Sequence, residues 1–337
     1  MAKEKNENLY SAKKSKNDEF YTQLSDIEKE LSYYKSHFKD KVVYCNCDDP
    51  RVSNFFHYFS CNFEKLNLKK LIGTCYKSKE RDLFSENKSE QAIYLEYTGS
   101  KNDINVPKPE DIGIKYLKGD GDFKSKECIE LLKQADIVVT NPPFSLFREY
   151  VTQLIEYDKK FVIIGNKNAI TYKEIFKLIK EDKLWIGNTP MGTGMLFDVP
   201  EDYSQELITS KKEGSGYKIV NGVVKGRAQA VWFTNLDIAK RHEDLILYKT
   251  YNEKEYPKYD NYDAINVNTT KDIPCDYTGC MGVPITFLDK WNPEQFEIMG
   301  AETYDIPDEM VLTDKKKKLT IRGKLPFKRI YIRRKIK

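Results

Sequence analysis

Residues 136–150 read DIVVTNPPFSLFREY, and this stretch decides the predicted fold. Its first part, residues 136–140, is short, apolar and rich in β-branched side chains, as expected of a buried strand. The tetrapeptide 141–144 follows at once, and its two adjacent prolines remove two amide donors and hold the backbone rigid. The remaining residues have the spacing of an amphipathic helix. The sequence therefore predicts a buried strand, a stiff corner and a helix, in that order.

Strand-like and helix-like runs alternate on both sides of this corner. Further strand-like runs occupy residues 41–47, 69–76, 114–123 and 159–166, and a strand-like island at 92–99 interrupts a polar insertion. Helix-like runs follow most of them, including one that begins near Pro50. This alternation predicts an α/β fold with a doubly wound, mainly parallel sheet. In such sheets ligands bind beyond the carboxyl ends of the strands, where the corner lies.

The chain loses its helical period after residue 184. Short strands and glycine turns up to residue 237 predict hairpins that complete the sheet. Residues 238–337 are rich in Tyr, Asn, Asp and Lys and predict a smaller, irregular unit. The predicted organisation is therefore an N-terminal segment over 1–40, a catalytic domain over 41–237 and a C-terminal region over 238–337.

Basic charge is concentrated at the C-terminus. The formal net charge is only +4, yet residues 315–337 carry twelve Lys and Arg and no acid, so the rest of the chain is net negative. Such a block attracts polyanions by counterion release, which favours nucleic acid as a partner over a simple solvated tail. Within it FKRIYIRRK has strand alternation, which predicts an edge strand with Ile330 and Ile332 directed inward.

Other classes of protein fit the sequence less well. The first twenty residues have no apolar core, and no run reaches the eighteen or so apolar residues that cross a bilayer, so neither a secretory signal nor a membrane partner is predicted. Seven cysteines without framework spacing favour a reducing cytoplasm over a disulfide scaffold. Neither they nor the three histidines have metal-ligand spacing, so no metal site is predicted.

The corner suits transfer of a group to the amino nitrogen of adenine, a poor nucleophile because its lone pair is delocalised into the ring. Two acceptors that take hydrogen bonds from its N–H groups draw it toward tetrahedral geometry. The side-chain carbonyl of Asn141 and the main-chain carbonyl of Pro142 are those acceptors, and Pro143 fixes the direction of the second. Phe144 offers a stacking face worth roughly 1–3 kcal/mol, which offsets much of the few kcal/mol that base extrusion costs.

The donor that this chemistry implies is S-adenosyl-L-methionine. Doubly wound methyltransferases usually hold it with a glycine-rich turn after the first strand, whereas CNCDDPRVSNFF (45–56) contains no glycine. Asp48 and Asp49 are candidates for its ammonium group, with no choice made between them. Asp120 and Asp122, in the turn GDGDF, are candidates for its adenine ring. The second strand ends without the acid that normally binds the ribose, so that role stays unassigned.

A further donor-binding candidate precedes the first strand, in DEFYTQLSDIEKEL (18–31). Phe20 and Tyr21 are expected to pack against the methionine end of the donor, with Thr22 capping the helix that follows. The alternative is an ordinary capped helix start with aromatic packing.

Asn-Pro-Pro-Phe after a strand resembles the catalytic motif of adenine-N6 DNA methyltransferases. The wider set is similar to one subfamily, the EcoRI-type modification methyltransferases, from about residue 13 to the C-terminus: DEFYTQ, KVVYCNCDDPRVSNFF, DIVVTNPPFSLFREY, YPKYDNYDAINVN and MGVPITFLDKWNPEQFE. The glycine-free run CNCDDPRVSNFF is distinctive of that subfamily, so the missing glycines support the resemblance.

The resemblance implies site-specific transfer of methyl from S-adenosyl-L-methionine to adenine N6 in double-stranded DNA, with base flipping. It also implies a Rossmann-like fold and a cytoplasmic, bacterial or phage-encoded monomer associated with the nucleoid, which protects DNA from a cognate restriction endonuclease. The catalytic motif would be Asn141, Pro142, Pro143 and Phe144, and the donor contacts would be Phe20, Tyr21, Thr22 and the run from Cys45 to Pro50. The C-terminal half would read the DNA, with GAATTC as the first guess, and the turn 187–194 is a candidate contact.

Four other functions are alternatives on the sequence alone, the last two of them with features that argue against them. RNA adenine methylation uses the same chemistry, and a relative that binds DNA without transfer would keep the fold. Protein glutamine methyltransferases use a similar motif but carry their extra domain before the fold, whereas this chain has about 190 residues after Phe144. The Pro274-Cys275 pair of cytosine-C5 enzymes lies in the irregular region and lacks its Glu-Asn-Val partner.

Overall fold

The computed structural model describes residues 22–77, 91–99, 107, 109–199, 201–301, 306–313, 320–324 and 328–335. Fifteen strands lie in these ranges: β1 (Val42–Cys45), β2 (Lys70–Thr74), β3 (Ile93–Tyr97), β4 (Lys115–Tyr116), β5 (Ile137–Thr140), β6 (Lys160–Asn166), β7 (Trp185–Ile186), β8 (Met195–Asp198), β9 (Tyr217–Val220), β10 (Val223–Ala228), β11 (Ala230–Thr234), β12 (Ile265–Asn266), β13 (Met281–Pro284), β14 (Phe296–Ala301) and β15 (Arg329–Arg334). The same ranges contain seven α-helices: α1 (Leu24–Leu31), α2 (Asn54–Cys61), α3 (Pro109–Ile112), α4 (Lys126–Gln134), α5 (Phe147–Glu156), α6 (Lys173–Lys180) and α7 (Glu201–Thr209).

The chain divides into two compact units, each built from two separate stretches of sequence. The first unit comprises Met1–Ala169 and Thr193–Leu236, and the second comprises Ile170–Gly192 and Asp237–Lys337. Among the helices of the described ranges, none has both the length and the apolar character to span a membrane.

Seven strands of the first unit lie in one mixed sheet, in the order β4-β3-β2-β1-β5-β6-β11. The central strands β2, β1, β5 and β6 are parallel, while β3 and β11 run antiparallel to their neighbours β2 and β6. Every residue of β1 and β5 is buried, which explains why these strands are continuously apolar rather than alternating. The predicted α/β class with a large, mostly parallel sheet is confirmed.

Three sheet predictions were wrong in detail. The strand-like island at 92–99 is an integral strand, because β3 pairs with β2 and alternates buried and half-buried residues. The predicted strand at 114–123 shrinks to the two exposed residues of β4 at the sheet edge. Farther along, β8, β10 and β9 form a separate antiparallel sheet, so only β11 of the predicted hairpins completes the main sheet of this unit.

Two amphipathic helices cover the centre of the sheet. Helix α4 begins after Ser125, whose hydroxyl accepts the amide of Cys128 at 3.2 Å, an N-cap that satisfies one of the free amides of the first turn. It packs against β1, and α5 packs against β6. The buried face of α5 includes Phe147 and Tyr150. Both helices were expected at these positions from the sequence.

The second unit contains a four-stranded sheet in the order β12-β13-β15-β14. The basic strand β15 therefore lies in the interior of this sheet and is not the predicted edge strand, since it pairs with β13 on one side and β14 on the other. Ile330, Tyr331 and Ile332 are each at most 1% exposed. The region is thus more ordered than its composition suggested, and part of the basic block is core.

The short stretch Ile170–Gly192 is held to the rest of the second unit by polar contacts. The guanidinium of Arg241 lies 3.6 Å from the centre of the Trp185 ring and forms an ion pair with Asp182. The Lys240 ammonium donates to the backbone carbonyls of Gly187 and Asn188, both at 3.1 Å. These contacts explain why a segment that precedes β8 belongs with residues 237–337.

Candidate active site

The corner after β5 has the predicted construction. Asn141 and Pro142 are buried, and Pro143 is half-buried with an extended backbone at φ −53° and ψ 128°. Phe144 begins a single 3-10 turn that leads into α5, and it is 9% exposed. The carbonyl of Pro143 accepts the amide of Leu146 at 3.0 Å. The chain is therefore fixed on both sides of Asn141, by the strand before it and by the turn after it.

The loop after β1 lies beside this corner because the two strands are parallel neighbours. Val43 is in register with Ile137 and Tyr44 with Val138, so the carboxyl ends of β1 and β5 meet. The hydroxyl of Thr140 donates to the backbone carbonyl of Asn46. The structure thus brings together the catalytic candidates and the run from Cys45 to Pro50.

Asn46 is the hub of this junction. Besides the bond from Thr140, its side-chain carbonyl accepts the hydroxyl of Tyr150, which projects from α5. Burial raises the pKa of the Tyr150 hydroxyl well above its ordinary value, so this group keeps its proton and remains a donor. Helix α5, strand β5 and the loop after β1 are therefore tied to one residue, Asn46, which is only 6% exposed.

The loop after β1 keeps a left-handed turn although it lacks glycine. Cys47 has φ +89°, a conformation that glycine adopts without cost and other residues adopt rarely. The turn that other methyltransferases build with glycine is thus made here by a cysteine. Cys45, just before it, is buried, and burial raises the pKa of its thiol well above the usual range, so it is a neutral packing group.

The two acids of the loop have different surroundings. The carboxylate of Asp49 is 2% exposed and accepts the backbone amide of Arg51 at 3.0 Å together with its guanidinium. This hydrogen bond raises the pKa of the Arg51 guanidinium. Asp48 is half-buried and accepts the hydroxyl of Ser53 at 3.4 Å. The negative charge of Asp49 is therefore already balanced within the loop.

The helix expected to begin near Pro50 begins later, and that prediction was wrong. Ser53 is the N-cap residue and α2 starts at Asn54. The backbone carbonyl of Asp49 accepts the amides of Val52 and Ser53, at 3.0 and 2.8 Å, in a turn that precedes the helix. Pro50 lies inside that turn, and proline suits a turn as well as the first helical position. These two amides are consequently engaged by the loop itself.

The turn with Asp120 and Asp122 lies against the end of β2. A Cβ atom on Gly121, which has φ +80°, would lie 2.2 Å from the carbonyl oxygen of Cys75, so only glycine permits this approach. The carbonyl of Asp120 also accepts the amide of Lys77 at 2.8 Å. Each carboxylate accepts an amide two residues ahead, from Asp122 at 3.1 Å and from Lys124 at 2.8 Å. Both acids thus stabilise their own turn at the end of the second strand.

Of the N-terminal candidates, Phe20 and Tyr21 lie outside the described residues. Thr22 was predicted to cap α1, and that prediction was wrong. The N-cap position is Gln23, and no side chain caps the helix there. Instead the carbonyl of Thr22 accepts the side-chain amide of Asn54 at 2.8 Å, at the start of α2. Its hydroxyl is buried and finds no hydrogen-bond partner in the described part of the chain. Thr22 therefore lies beside α2, the helix that follows the loop after β1.

Sequence reasoning missed Tyr150 and Arg51, and it included Asn46 only as a member of the run from Cys45 to Pro50, with no role of its own. The bond between Asn46 and Tyr150 joins residues 104 positions apart, which no local pattern reports. Arg51 carried a usable signal, since a cation two residues after an acid in a turn often binds it. Asn46 also carried one, as the first polar side chain after a buried strand.

A large mixed sheet with an Asn-Pro-Pro-Phe corner and a second polar loop at its carboxyl edge defines an amino-group methyltransferase. The comparisons with known proteins agree. The family model described as "Adenine-specific methyltransferase EcoRI" matches residues 8–335. The chain belongs to this EcoRI adenine-specific methyltransferase family and is a type II DNA methyltransferase specific for adenine.

Three relatives illustrate the match. The chain is 53% identical over 337 residues to the type II methyltransferase M.EcoRI of Escherichia coli, covering 98% of this chain and 97% of that protein. It is 43% identical over 301 residues to M.MgeORF184P of Mycoplasma genitalium and 42% identical over 299 residues to M.MpnI of Mycoplasma pneumoniae, in both cases covering 86% of this chain and 84% of the relative. No solved structure matches the chain significantly. The resemblance drawn from five sequence segments is confirmed.

Proposed function

We propose that the protein transfers methyl from S-adenosyl-L-methionine to N6 of an adenine extruded from duplex DNA. One observation carries this proposal: the corner after β5 and the loop after β1 meet at the carboxyl edge of the sheet and are joined through Asn46. An acceptor base at one and a donor at the other would be neighbours. When bound, the donor supplies an electrophilic methyl group.

At the corner, Asn141 and Pro142 hold the amino group. Both N–H bonds point to oxygens, the side-chain carbonyl of Asn141 and the main-chain carbonyl of Pro142, so the nitrogen gains lone-pair character. Pro143 restricts the backbone conformation of Pro142 and so fixes the direction in which the Pro142 carbonyl points. Phe144 stacks on the extruded ring. None of the four side chains titrates, so the corner acts by position and dipole alone.

The residues of the donor side fit the proposed donor. The left-handed turn at Cys47 lets the loop backbone approach a bound donor closely. Within the described structure, the buried hydroxyl of Thr22 is a polar atom that could hydrogen-bond to that donor. Asp48 and Asp49 are both candidate partners of the donor's ammonium group, and Asp49 already forms an ion pair with Arg51. Cys45 and Pro50 would contribute packing, with Phe20 and Tyr21 at the methionine end.

The role of ribose acid, unassigned from sequence, falls to the turn of Asp120 and Asp122. That acid is normally the end residue of the second strand, and this turn lies against the end of β2 through Gly121. Its two carboxylates each have a second oxygen that amide bonding does not require. The same turn was first expected to contact the donor's adenine ring, and one turn can border both groups.

The wider biological proposal follows from the family. Residues 41–237 act as a Rossmann-like class I catalytic domain, 1–40 contribute to donor binding, and 238–337 read the target. The enzyme works as a monomer in the cytoplasm, at the nucleoid, and protects DNA from a cognate restriction endonuclease that cuts the same site. GAATTC is the first target to test.

The test is a methyl-transfer reaction with labelled donor on a duplex that contains GAATTC and on a duplex with that site scrambled. We expect label in N6-methyladenine from the first duplex only, identified by mass spectrometry of the nucleosides. Label in cytosine, or in both duplexes equally, would overturn the proposal. No label in either, with tight DNA binding, would indicate a binding protein without transfer.

A further inference from the structure

Strands β9 and β10 form a hairpin, residues 217–228, with an unusually well-defined tip. Val220 pairs with Val223, which leaves a two-residue loop of Asn221 and Gly222. Both have positive φ, +51° and +79°, the geometry of the type I′ turn that suits the twist of a two-stranded ribbon. The tip is therefore a rigid feature whose conformation the sequence fixes.

The tip is apolar and exposed. Ile219 is 51% exposed, Val220 is 37% exposed and Val223 is 54% exposed. The base of the hairpin is secured, since Tyr217 is buried and the Arg227 guanidinium donates to the backbone carbonyls of Thr193 and Gly214. Apolar side chains exposed at the tip of a firmly held hairpin do not stabilise the fold, and exposed apolar patches of this kind mark interaction sites.

Two lysines stand behind this tip. Lys218 and Lys225 occupy directly opposite positions, and by register they share a face of the hairpin with the pair Val220 and Val223. Like charges directly opposite each other destabilise an antiparallel pair. Asp198 on β8 forms an ion pair with Lys225 and offsets part of this repulsion. A polyanion lying across the same face would offset the rest.

The hairpin leaves the main sheet at the edge where the corner lies. Strand β11 follows the hairpin after Gln229 and is antiparallel to β6, with Ala230 in register with Asn166. Asn166 is the last residue of β6, and Thr140 is in register with Ile163 of the same strand. The hairpin and Asn141 therefore belong to the same carboxyl edge, where an acceptor base must arrive.

We propose that the hairpin 217–228 is a DNA-binding element of the first unit, separate from the C-terminal region. Val220 and Val223 enter a groove and pack against base surfaces, while Lys218 and Lys225 contact phosphates. An apolar tip flanked by cations fits duplex DNA, which presents phosphates outside and apolar base surfaces within. A second copy of this chain fits less well, because pairing along the exposed edge of β9 would bring its lysines near those of the partner.

The charged part is tested by salt-dependent binding to a mixed-sequence duplex, with Lys218→Gln/Lys225→Gln. The slope of log affinity against log salt should fall in magnitude by about 1 to 2, since each phosphate contact contributes about 0.9. The matched control is Lys65→Gln/Lys69→Gln, two exposed lysines near the amino end of β2, at the opposite edge of the sheet. An unchanged slope in the hairpin variant, or an equal fall in the control, would overturn the proposal.

The apolar part is tested with Val220→Thr/Val223→Thr, which keeps the β-branched shape and therefore the hairpin. We expect kcat/KM for duplex DNA to fall roughly tenfold, because the substitutions replace two apolar methyl groups at the contact with hydroxyls. The fall should shrink when the target adenine lies opposite an abasic site, where less base displacement is needed. Tyr33→Gln, which also replaces an exposed hydrophobic residue (54% exposed), should change neither value.

The outcomes separate this inference from the proposed function, on which its second test rests. If the parent enzyme does not methylate adenine, the proposed function is wrong. The salt dependence of DNA binding would still test whether the hairpin contacts DNA. Circular dichroism of each variant checks that the fold is retained. If Val220→Thr/Val223→Thr is as active as the parent on the intact duplex and on the duplex with the abasic site, the proposed apolar contact is wrong. A dimer in light scattering that the tip variant converts to a monomer would assign the surface to self-association instead.

Discussion

The corner after β5 and the loop after β1 meet at the same edge of the sheet but are made rigid in different ways. Two proline rings fix the corner covalently, and none of its four side chains titrates. Hydrogen bonds fix the loop, through Asn46, Asp49 and a strained left-handed Cys47. Substitutions at the corner should therefore change the chemical step, whereas those in the loop should change donor affinity or stability.

The largest expected effect is at Asn141. Asn141→Ala removes one of two acceptors for the amino group, so kcat should fall about 10²–10³-fold, as for loss of one polar contact to a reacting group. The donor's Kd, measured by calorimetry, should stay within about twofold. Asn141→Asp keeps an acceptor oxygen and should recover part of the rate. If Asn141→Ala loses donor binding instead, the corner and the loop are not functionally distinct.

Phe144→Ala tests whether the corner also holds the base. Capture of an extruded base should weaken by roughly 1–3 kcal/mol, the contribution of one stacked ring. The readout is the emission of 2-aminopurine placed at the target position, which brightens when the base leaves the stack. Phe144→Tyr keeps the ring and should preserve the emission. Emission from Phe144→Ala equal to the parent's would count against a stacking role.

Tyr150→Phe tests the connection between the two regions. The substitution removes one hydroxyl from Asn46 but keeps the ring that packs edge-on against Phe123. Loss of a buried hydrogen bond costs about 1–3 kcal/mol, so the KM for donor should rise roughly tenfold with a smaller change in kcat. Tyr157→Phe, just after the end of α5, is the control. A selective fall in kcat would place Tyr150 on the corner's side.

Alkaline pH should test the side of the sheet edge next to the loop, because the buried thiol of Cys75 lies just after β2, the parallel neighbour of β1. Burial raises the pKa of Cys75 to about 12 from an ordinary value of 9.0. Between pH 9 and pH 12 the Cys75 thiol keeps its proton in the folded state and loses it in the unfolded state. This thiol therefore leaves the free energy of unfolding unchanged below pH 9 and lowers it as pH rises toward 12. From pH 8 to pH 10 this thiol should cost about 1.4 kcal/mol of unfolding free energy.

Urea unfolding at the two pH values measures this decline. Other buried groups also titrate, so the relevant quantity is the difference between the parent and Cys75→Ala. The variant should lose about 1.4 kcal/mol less than the parent between pH 8 and pH 10. An identical decline in both proteins would show that unfolding does not change the protonation of Cys75 in this pH range.

The smallest expected effect is that of Cys47→Gly. Glycine adopts φ +89° freely, and the relief of strain is balanced by its greater unfolded-state entropy, so stability should change by less than about 1 kcal/mol. Cys47→Val is the contrasting variant, since a β-branched residue is strained there by roughly 1–3 kcal/mol. Equal destabilisation by both in urea unfolding would mean that the thiol, rather than the backbone conformation, holds the loop.

The sequence predicted the corner more fully than the loop for a physical reason. Proline restricts the chain through bonds within two residues, so Asn141 to Phe144 can be interpreted locally. The loop depends on Tyr150, 104 positions from Asn46, and on an Asp49 turn that delays α2 to Asn54. Likewise the alternation around Ile330 and Ile332 predicted a strand, but its interior place depends on β13 and β14, which local patterns do not identify.

The contacts of Arg241 have a consequence for how this enzyme exchanges its second unit with relatives by recombination. Its ring partner Trp185 and its ion-pair partner Asp182 lie upstream of β8, whereas Arg241 lies after β11. A single genetic crossover near residue 237 would exchange the segment that carries Arg241, whose side chain is 9% exposed, and would keep the segment that carries both partners. An exchange that keeps these contacts together therefore takes in residues 170–192 as well as residues 237–337, which requires a double crossover.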